Sequence, residues 1–181
     1  MLPFAFPITL TPHEYELAVK GILDATGQQL LSYTSEHQPR LESPDGDYVI
    51  DVAARFSALG ADFLVLVECK HEKRKVERQD VQVLHSKVQS LGAQKGMLFS
   101  VSGFQSGALE YAKVHRIATV QLADGNTTWH TRKAGPQSPP PVWAGIPRFI
   151  GWWIHEPKYS VLSSKEGKNT RMALGLELGE P

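Results

Sequence analysis

The chain has 181 residues, of which 41% are hydrophobic and 21% are charged, a composition typical of one soluble globular domain with a short appendage. Its 19 basic and 19 acidic residues balance, so the net charge does not indicate a nucleic-acid-binding protein, and any such surface must be local. The single cysteine excludes an intramolecular disulfide and suits a reducing cytoplasm. No apolar run reaches the roughly 20 residues of a membrane helix, so no membrane association is expected.

The first predicted element is a helix. Thr11 suits the N-cap, Pro12 the first helical position, and Glu14 completes a capping box. Apolar residues then recur at helical spacing as far as about Thr26. The polar residues 35–47 are predicted to form a loop or an irregular sheet edge.

Two apolar segments next predict a β-hairpin. They are YVIDVAARF (residues 48–56) and FLVLVECK (63–70), and SALGAD is the turn between them. Pairing about the centre of this turn places Asp51 directly opposite Glu68. Two carboxylates in that position repel each other, so a positive group must offset them.

Helices and strands then alternate. Helices are predicted over residues 78–91 and 102–116, and short apolar strands over 95–101 and 117–122. Strand–helix–strand crossovers of this kind join parallel strands. Together with the antiparallel hairpin, they predict an α/β fold with a mixed sheet.

The sequence changes character after residue 126. Residues 127–141 include a proline-rich stretch that predicts a semi-stiff linker. Residues 142–181 form a C-terminal extension, in which an aromatic segment predicts a strand or hairpin before a weakly patterned end. The predicted organisation is therefore a domain over 1–126, a linker and an extension.

The end of the predicted hairpin is a candidate metal site. Mg²⁺ takes oxygen ligands, usually one or two carboxylates, and keeps waters for a substrate phosphate. Asp51 and Glu68 are therefore the candidate ligands of Mg²⁺, for which Mn²⁺ should substitute, and the backbone carbonyl of Cys69 is a third oxygen. Lys70 would orient the attacking water or neutralise the developing phosphate charge. The alternative, a strand-end ion pair between Glu68 and Lys70, leaves the opposed Asp51 unexplained.

These residues resemble the D…(D/E)-x-K signature of the restriction-endonuclease-like superfamily, PD-(D/E)xK. Residues 11–125 are similar to its Mrr-type endonuclease domains in YELAVKGIL, VQVLHSK and KGMLFSVSGFQSGALEYAKVHRIATVQLADG. The resemblance implies a mixed-sheet core flanked by helices, and supporting catalytic roles for Glu16 and Gln82. Many relatives carry a glycine pair before the aspartate, where this sequence has DGDYVID. Asp47 is thus an alternative ligand, although it would lie too far along the strand to face Glu68.

A basic run follows the candidate site. It contains Lys73, Arg74, Lys75 and Arg78, and is either a solvated loop or a clamp for DNA phosphates. Ser102 is predicted to cap the next helix, whose free N–H groups also suit a phosphate.

The resemblance implies a Mg²⁺-dependent endodeoxyribonuclease that hydrolyses DNA phosphodiester bonds by water attack, with a role in restriction or defence against foreign or modified DNA. A homodimer would explain how one site per chain cuts both strands. The alternative is a catalytically inert nuclease-fold module that binds DNA or mediates oligomerisation.

Overall fold

The computed structural model describes residues 8–27, 30–124, 148–155, 158–162 and 167–174. The predicted linker over 127–141 lies outside the described residues. The helices are α1 (Pro12–Gly27), α2 (Arg78–Ser90), α3 (Ser106–Val114) and α4 (Gly167–Leu174). The strands are β1 (Leu31–His37), β2 (Arg40–Ser43), β3 (Gly46–Val49), β4 (Val52–Ala58), β5 (Ala61–Lys70), β6 (Lys95–Ser100), β7 (Ala118–Asp124), β8 (Phe149–His155) and β9 (Lys158–Leu162).

The main sheet is mixed, as predicted. Within the described chain it has seven strands in the order β1-β4-β5-β6-β7-β8-β9, while β2 and β3 pair separately. The central strands β5, β6 and β7 are parallel, and the flanking pairs are antiparallel. Helices cover the sheet, so the predicted α/β fold with a mixed sheet flanked by helices is confirmed.

The predicted capping box sets the start of α1. The Thr11 N–H donates to Oε2 of Glu14 at 2.8 Å, and the Glu14 N–H donates to the Thr11 hydroxyl at 3.3 Å. Two backbone donors at the helix start thus have partners, so α1 begins at Pro12. The helix buries Tyr15 and Val19 completely against the sheet.

The predicted hairpin is formed by β4 and β5. Its turn residues Leu59 and Gly60 have φ of 53° and 78°, the positive values that a two-residue type I′ turn requires. The register pairs Val52 with Val67, so one further step places Asp51 opposite Glu68.

Two predictions about the chain around the start of this hairpin are confirmed only in part, since residues 35–37 do belong to the edge strand β1 of the main sheet. Residues 35–47 are largely extended, because β1 continues to His37 and the short β2 and β3 follow. These strands carry few apolar residues, chiefly the paired Leu41 and Tyr48 that pack on the core, so they lack an apolar pattern. The single strand predicted over 48–56 is broken at residues 50–51, where the chain passes from β3 to β4.

The core lies on both faces of the main sheet. Alternation along β5 sends Val67 to the α1 face and Leu66 to the face covered by α2 and α3. Cys69, two residues after Val67, also packs against the α1-side core. Glu68 and Lys70 therefore continue the α2 face at the end of the strand.

The described part of the C-terminal extension joins the same sheet. Strand β8 pairs with β7, and β9 pairs with β8. Leu162 of β9 and Ala173 of α4 are completely buried in the α1-side core, and Trp153 packs against it. The extension thus contributes to the core on the α1 side.

Gly151 provides a test of how β8 packs. A Cβ atom at this position would lie 2.6 Å from Cγ1 of Val120 on β7. We expect Gly151→Ala to lower the free energy of unfolding by about 1–3 kcal/mol, because the added methyl group overpacks the core. Urea denaturation followed by circular dichroism measures the change.

Gly21 on the exposed side of α1 is the matched control. Apart from its chain neighbours and the backbone of its own helix, no atom lies within 4 Å of a Cβ added there, so Gly21→Ala should raise stability by up to about 1 kcal/mol through helix propensity. Equal effects of the two substitutions would contradict the packing of β8 on β7.

Candidate active site

Asp51 lies in the bend between β3 and β4, across from the end of β5. Its Oδ2 accepts a hydrogen bond from the Cys69 N–H at 2.6 Å. Burial raises the pKa of Asp51 from 3.8 to about 6, and the neighbouring charges of Glu68 and Glu16 act in the same direction. A half-buried acid that faces other acids is the setting of a cation site.

Glu68 has a basic partner that the sequence did not reveal. Nζ of Lys87, near the end of α2, donates to Oε1 of Glu68 at 2.5 Å, and only 19% and 14% of the two side chains are exposed. Lys87, and not Lys70, is therefore the cation that offsets Glu68. The helical pattern could not reveal this contact, because it depends on how α2 aligns with β5.

Lys70 lies beside a different carboxylate. Its Nζ is 4.0 Å from Oδ1 of Asp80, in the first turn of α2, and its side chain is 30% exposed. Asp80 already accepts two hydrogen bonds from the Arg74 guanidinium, at 2.8 and 3.1 Å, and one from the Glu77 N–H. The Lys70 ammonium thus makes only a long contact with a carboxylate that other donors satisfy.

The structure brings Glu16 toward the acids but not Gln82. Glu16 projects from α1, where Oε2 contacts Nε2 of His37 at 2.6 Å and accepts a hydrogen bond from Nε2 of Gln38 at 3.0 Å. Its charge contributes to the raised pKa of Asp51. Gln82 is exposed on α2, and no hydrogen bond within the described chain joins it to either acid.

Asp47 lies elsewhere. It belongs to the separate β2–β3 pair, where Oδ2 is 2.7 Å from Nη2 of Arg40. The geometry therefore favours Asp51 over Asp47 as the partner of Glu68.

The basic run after β5 divides into two kinds of residue. Arg74 binds Asp80 and also Glu72, and the Arg78 guanidinium lies 5.3 Å from the centre of the Tyr111 ring. Lys73 and Lys75 are exposed, and neither forms an ion pair within the described chain. These two lysines are the charges that remain available to a ligand.

The predicted capping role of Ser102 is wrong. Helix α3 begins only at Ser106, and the Ser102 hydroxyl donates to the backbone carbonyl of Glu72. The intervening residues pair with the segment after β5: the Val76 N–H donates to the Gly103 carbonyl at 3.0 Å. This tertiary pairing replaces the helical turn that the local sequence favours.

The pKa of Asp51 predicts a pH-dependent stability. The folded chain holds this proton more tightly than the unfolded chain, so ionisation destabilises the fold as the pH rises from about 4 through about 6. With a chelator present, we expect Asp51→Asn to be more stable than the unmodified chain by about 1–2 kcal/mol at pH 7.5, allowing for partial solvent screening. The gain should vanish below pH 4, as measured by urea denaturation.

Asp47→Asn is the matched control for this experiment. It removes a carboxylate from an exposed ion pair, so it should change stability by less than about 1 kcal/mol and show no gain between pH 4 and pH 7. A gain for Asp51→Asn that is the same at every pH would contradict the raised pKa.

Comparison with known proteins places the chain in a family. The family model Mrr_cat, described as a restriction endonuclease, matches residues 8–129. No curated protein matches the chain. The solved structure of a protein of unknown function, AF1548, is similar at 13% identity with a TM-score of 0.48; the match covers 59% of this chain and 55%, about half, of that one.

The described helices include none that is long and apolar enough to span a membrane.

The family match extends over most of the chain and includes every residue of the candidate site. The chain therefore belongs to the Mrr-type restriction endonuclease family, a group within the restriction-endonuclease-like superfamily of nucleases.

Proposed function

We propose that this chain is a metal-dependent endonuclease that hydrolyses DNA phosphodiester bonds at a site formed by Asp51, Glu68 and Lys70. The observation that carries the proposal is the opposition of Asp51 and Glu68, both half-buried, across the β4–β5 hairpin. Burial is the main cause of the raised pKa of Asp51, and the nearby charge of Glu68 adds to it. Membership of an endonuclease family supports DNA as the substrate.

The donor set fits a hard divalent cation. The Cys69 N–H donates a hydrogen bond to Oδ2 of Asp51, and the Lys87 ammonium donates one to Oε1 of Glu68. The other oxygen of each carboxylate has no hydrogen-bond partner within the described chain, so each acid is oriented and retains one oxygen for an ion. These two oxygens and the Cys69 carbonyl would hold Mg²⁺, or Mn²⁺ in its place. The bound ion would lower the pKa of a coordinated water and stabilise the negative charge of the transition state.

Lys70 is suited to contact the reacting phosphate. Its ammonium is partly exposed, and the carboxylate that it approaches in the described chain, Asp80, lies at the limit of an ion pair. It would donate to a non-bridging phosphate oxygen or orient the attacking water. Glu16 would support the site by adding negative charge beside Asp51, whereas a supporting role for Gln82 rests on the family alone.

The remaining proposals concern the biological role, the oligomeric state, the domain division and a further DNA contact of the chain. Restriction or defence against foreign or modified DNA follows from family membership. A homodimer would supply two sites for two DNA strands. We propose the division into a catalytic domain over 1–126, a linker over 127–141 and an extension over 142–181 that adds strands to the domain's sheet. Ser102, next to the basic run, remains a proposed DNA contact.

A catalytically inert DNA-binding module is the second candidate function. The ion pair between Lys87 and Glu68 favours it, because a lysine already neutralises one proposed ligand. Cleavage assays separate the two functions.

We expect the purified chain to cut DNA when Mg²⁺ or Mn²⁺ is present and not with a chelator. Asp51→Asn, Glu68→Gln and Lys70→Ala should each lower the cleavage rate by about 100-fold or more, because each removes charge stabilisation from the transition state. Plasmid nicking and cleavage of labelled duplex, single-stranded, methylated and branched DNA measure the rate.

Asp47→Asn should cut at the rate of the unmodified chain. Mg²⁺ should also raise the thermal stability of the unmodified chain but not of Asp51→Asn, which tests metal binding without catalysis. Absence of cleavage on all these substrates, together with no stabilisation by Mg²⁺, would instead support the inert module.

The exposed lysines predict the salt dependence of DNA binding. In the double variant Lys73→Gln, Lys75→Gln, the slope of log K against log salt concentration should fall by about 1–2, because two phosphate contacts are lost. Fluorescence anisotropy with a short duplex, with Ca²⁺ in place of Mg²⁺ to prevent cleavage, measures the slope. Lys113→Gln, an exposed residue near the end of α3, should leave the slope unchanged. An unchanged slope in the double variant would exclude this clamp.

A further inference from the structure

A cluster of nitrogen and oxygen donors lies near Asp51, on the α1 side. His13, Glu16 and His37 each offer a potential ligand atom, and these atoms all lie within 4.8 Å of one another. We propose that these three residues bind a divalent transition-metal ion of the zinc class, at a site distinct from the Asp51–Glu68 pair.

Two elements bring the three side chains together. His13 and Glu16 are three residues apart on α1, so they lie on one face of the helix. His37 ends β1, where it pairs with Val52, the residue after Asp51. Its ring lies edge-on to the His13 ring with centroids 5.0 Å apart, and its Nε2 is 2.6 Å from Oε2 of Glu16.

The donor types distinguish this cluster from the proposed magnesium site. Two imidazoles and one carboxylate are the protein ligands of many zinc sites that keep a fourth position open for water. Mg²⁺ prefers an oxygen-only environment, as the Asp51–Glu68 pair provides. The two sites would therefore select different ions.

The cluster also has a supporting contact and an entry route. Only 13% of Glu16 and 18% of His37 side-chain surface is exposed, whereas His13 is exposed to solvent. Nε2 of Gln38 donates to Oε2 of Glu16 at 3.0 Å, which restricts the orientation of the carboxylate as outer partners do at metal sites. A hydrogen bond between His37 and Glu16 would explain why those two side chains lie close together. It would not explain why His13 also approaches them.

Isothermal titration of the full chain with Zn²⁺, and visible absorption with Co²⁺ as a spectroscopic probe, test the site. We expect one Zn²⁺ ion per chain and a Co²⁺ spectrum of low coordination number. Gln38→Ala should weaken Zn²⁺ binding by about 10-fold, as the loss of an outer partner does. His13→Ala and His37→Gln each remove a ligand, so they should weaken it further and abolish the Co²⁺ spectrum. His13 is exposed, so its variant should fold, which circular dichroism verifies.

Two control variants test whether the ion binds at these three residues and not at another part of the chain. Asp51→Asn should retain Zn²⁺ binding, because Asp51 is not one of the three ligands. The Zn²⁺ test therefore does not depend on whether the proposed nuclease activity is found. His115→Gln removes one ring of another close histidine pair, His85 and His115, with centroids 4.2 Å apart, and it should also bind normally. The proposal is overturned if the chain binds neither ion, or if His13→Ala and His37→Gln bind as well as the unmodified chain. Loss of binding in either control would likewise place the ion elsewhere.

Discussion

The opposition of Asp51 and Glu68 is the interaction on which the candidate site depends. Two half-buried carboxylates repel each other and lose part of their hydration, so bringing them together costs free energy. The chain offsets this cost with one donor for each acid: the N–H of Cys69 for Asp51 and the ammonium of Lys87 for Glu68. Each donor contacts one oxygen, and the second oxygen of each acid is left for a ligand. The part of this cost that the donors do not offset raises the pKa of Asp51, chiefly through burial and then through the charge of Glu68. The proposed metal ion would offset the remaining cost by binding between the two acids.

The fold explains why the side chains of the candidate site meet at the end of β5. A two-residue turn sets the β4–β5 register, which fixes the position of Asp51. The parallel pairing of β5 with β6 requires a crossover, and α2 runs back along β5 so that Asp80 approaches Lys70 and Lys87 approaches Glu68. Helix α1 covers the other face of the sheet. The site thus lies where two helices and a hairpin converge on one strand end.

The basic residues around the site fall into two groups, those that contact other parts of the protein and those that face solvent. Arg74 and Arg78 are engaged within the protein, by carboxylates and by an aromatic ring, and they stabilise the start of α2 and its packing on α3. Lys73 and Lys75 alternate with these arginines but face solvent. A basic run that looks uniform in the sequence therefore contains two arginines engaged within the protein and two exposed lysines, which form the proposed phosphate clamp. On the α1 side, the candidate ligands are the imidazoles of His13 and His37 and not lysines. Imidazoles suit the proposed metal ion, whereas the lysines suit an anion.

Local signals in the sequence determined the start of α1 and the pairing of β4 with β5. The capping box at Thr11 and Glu14 places α1, and alternation about the Leu59–Gly60 turn places Asp51 opposite Glu68, because these signals act between near neighbours. The tertiary structure alone decided the rest: the break before β4, the Lys87–Glu68 pair, the approach of His37 to Glu16, and the pairing that displaces Ser102 from its predicted cap. Each of these depends on the alignment of elements that are distant along the chain or belong to different layers. No periodicity within one segment encodes such an alignment, because packing between segments sets it.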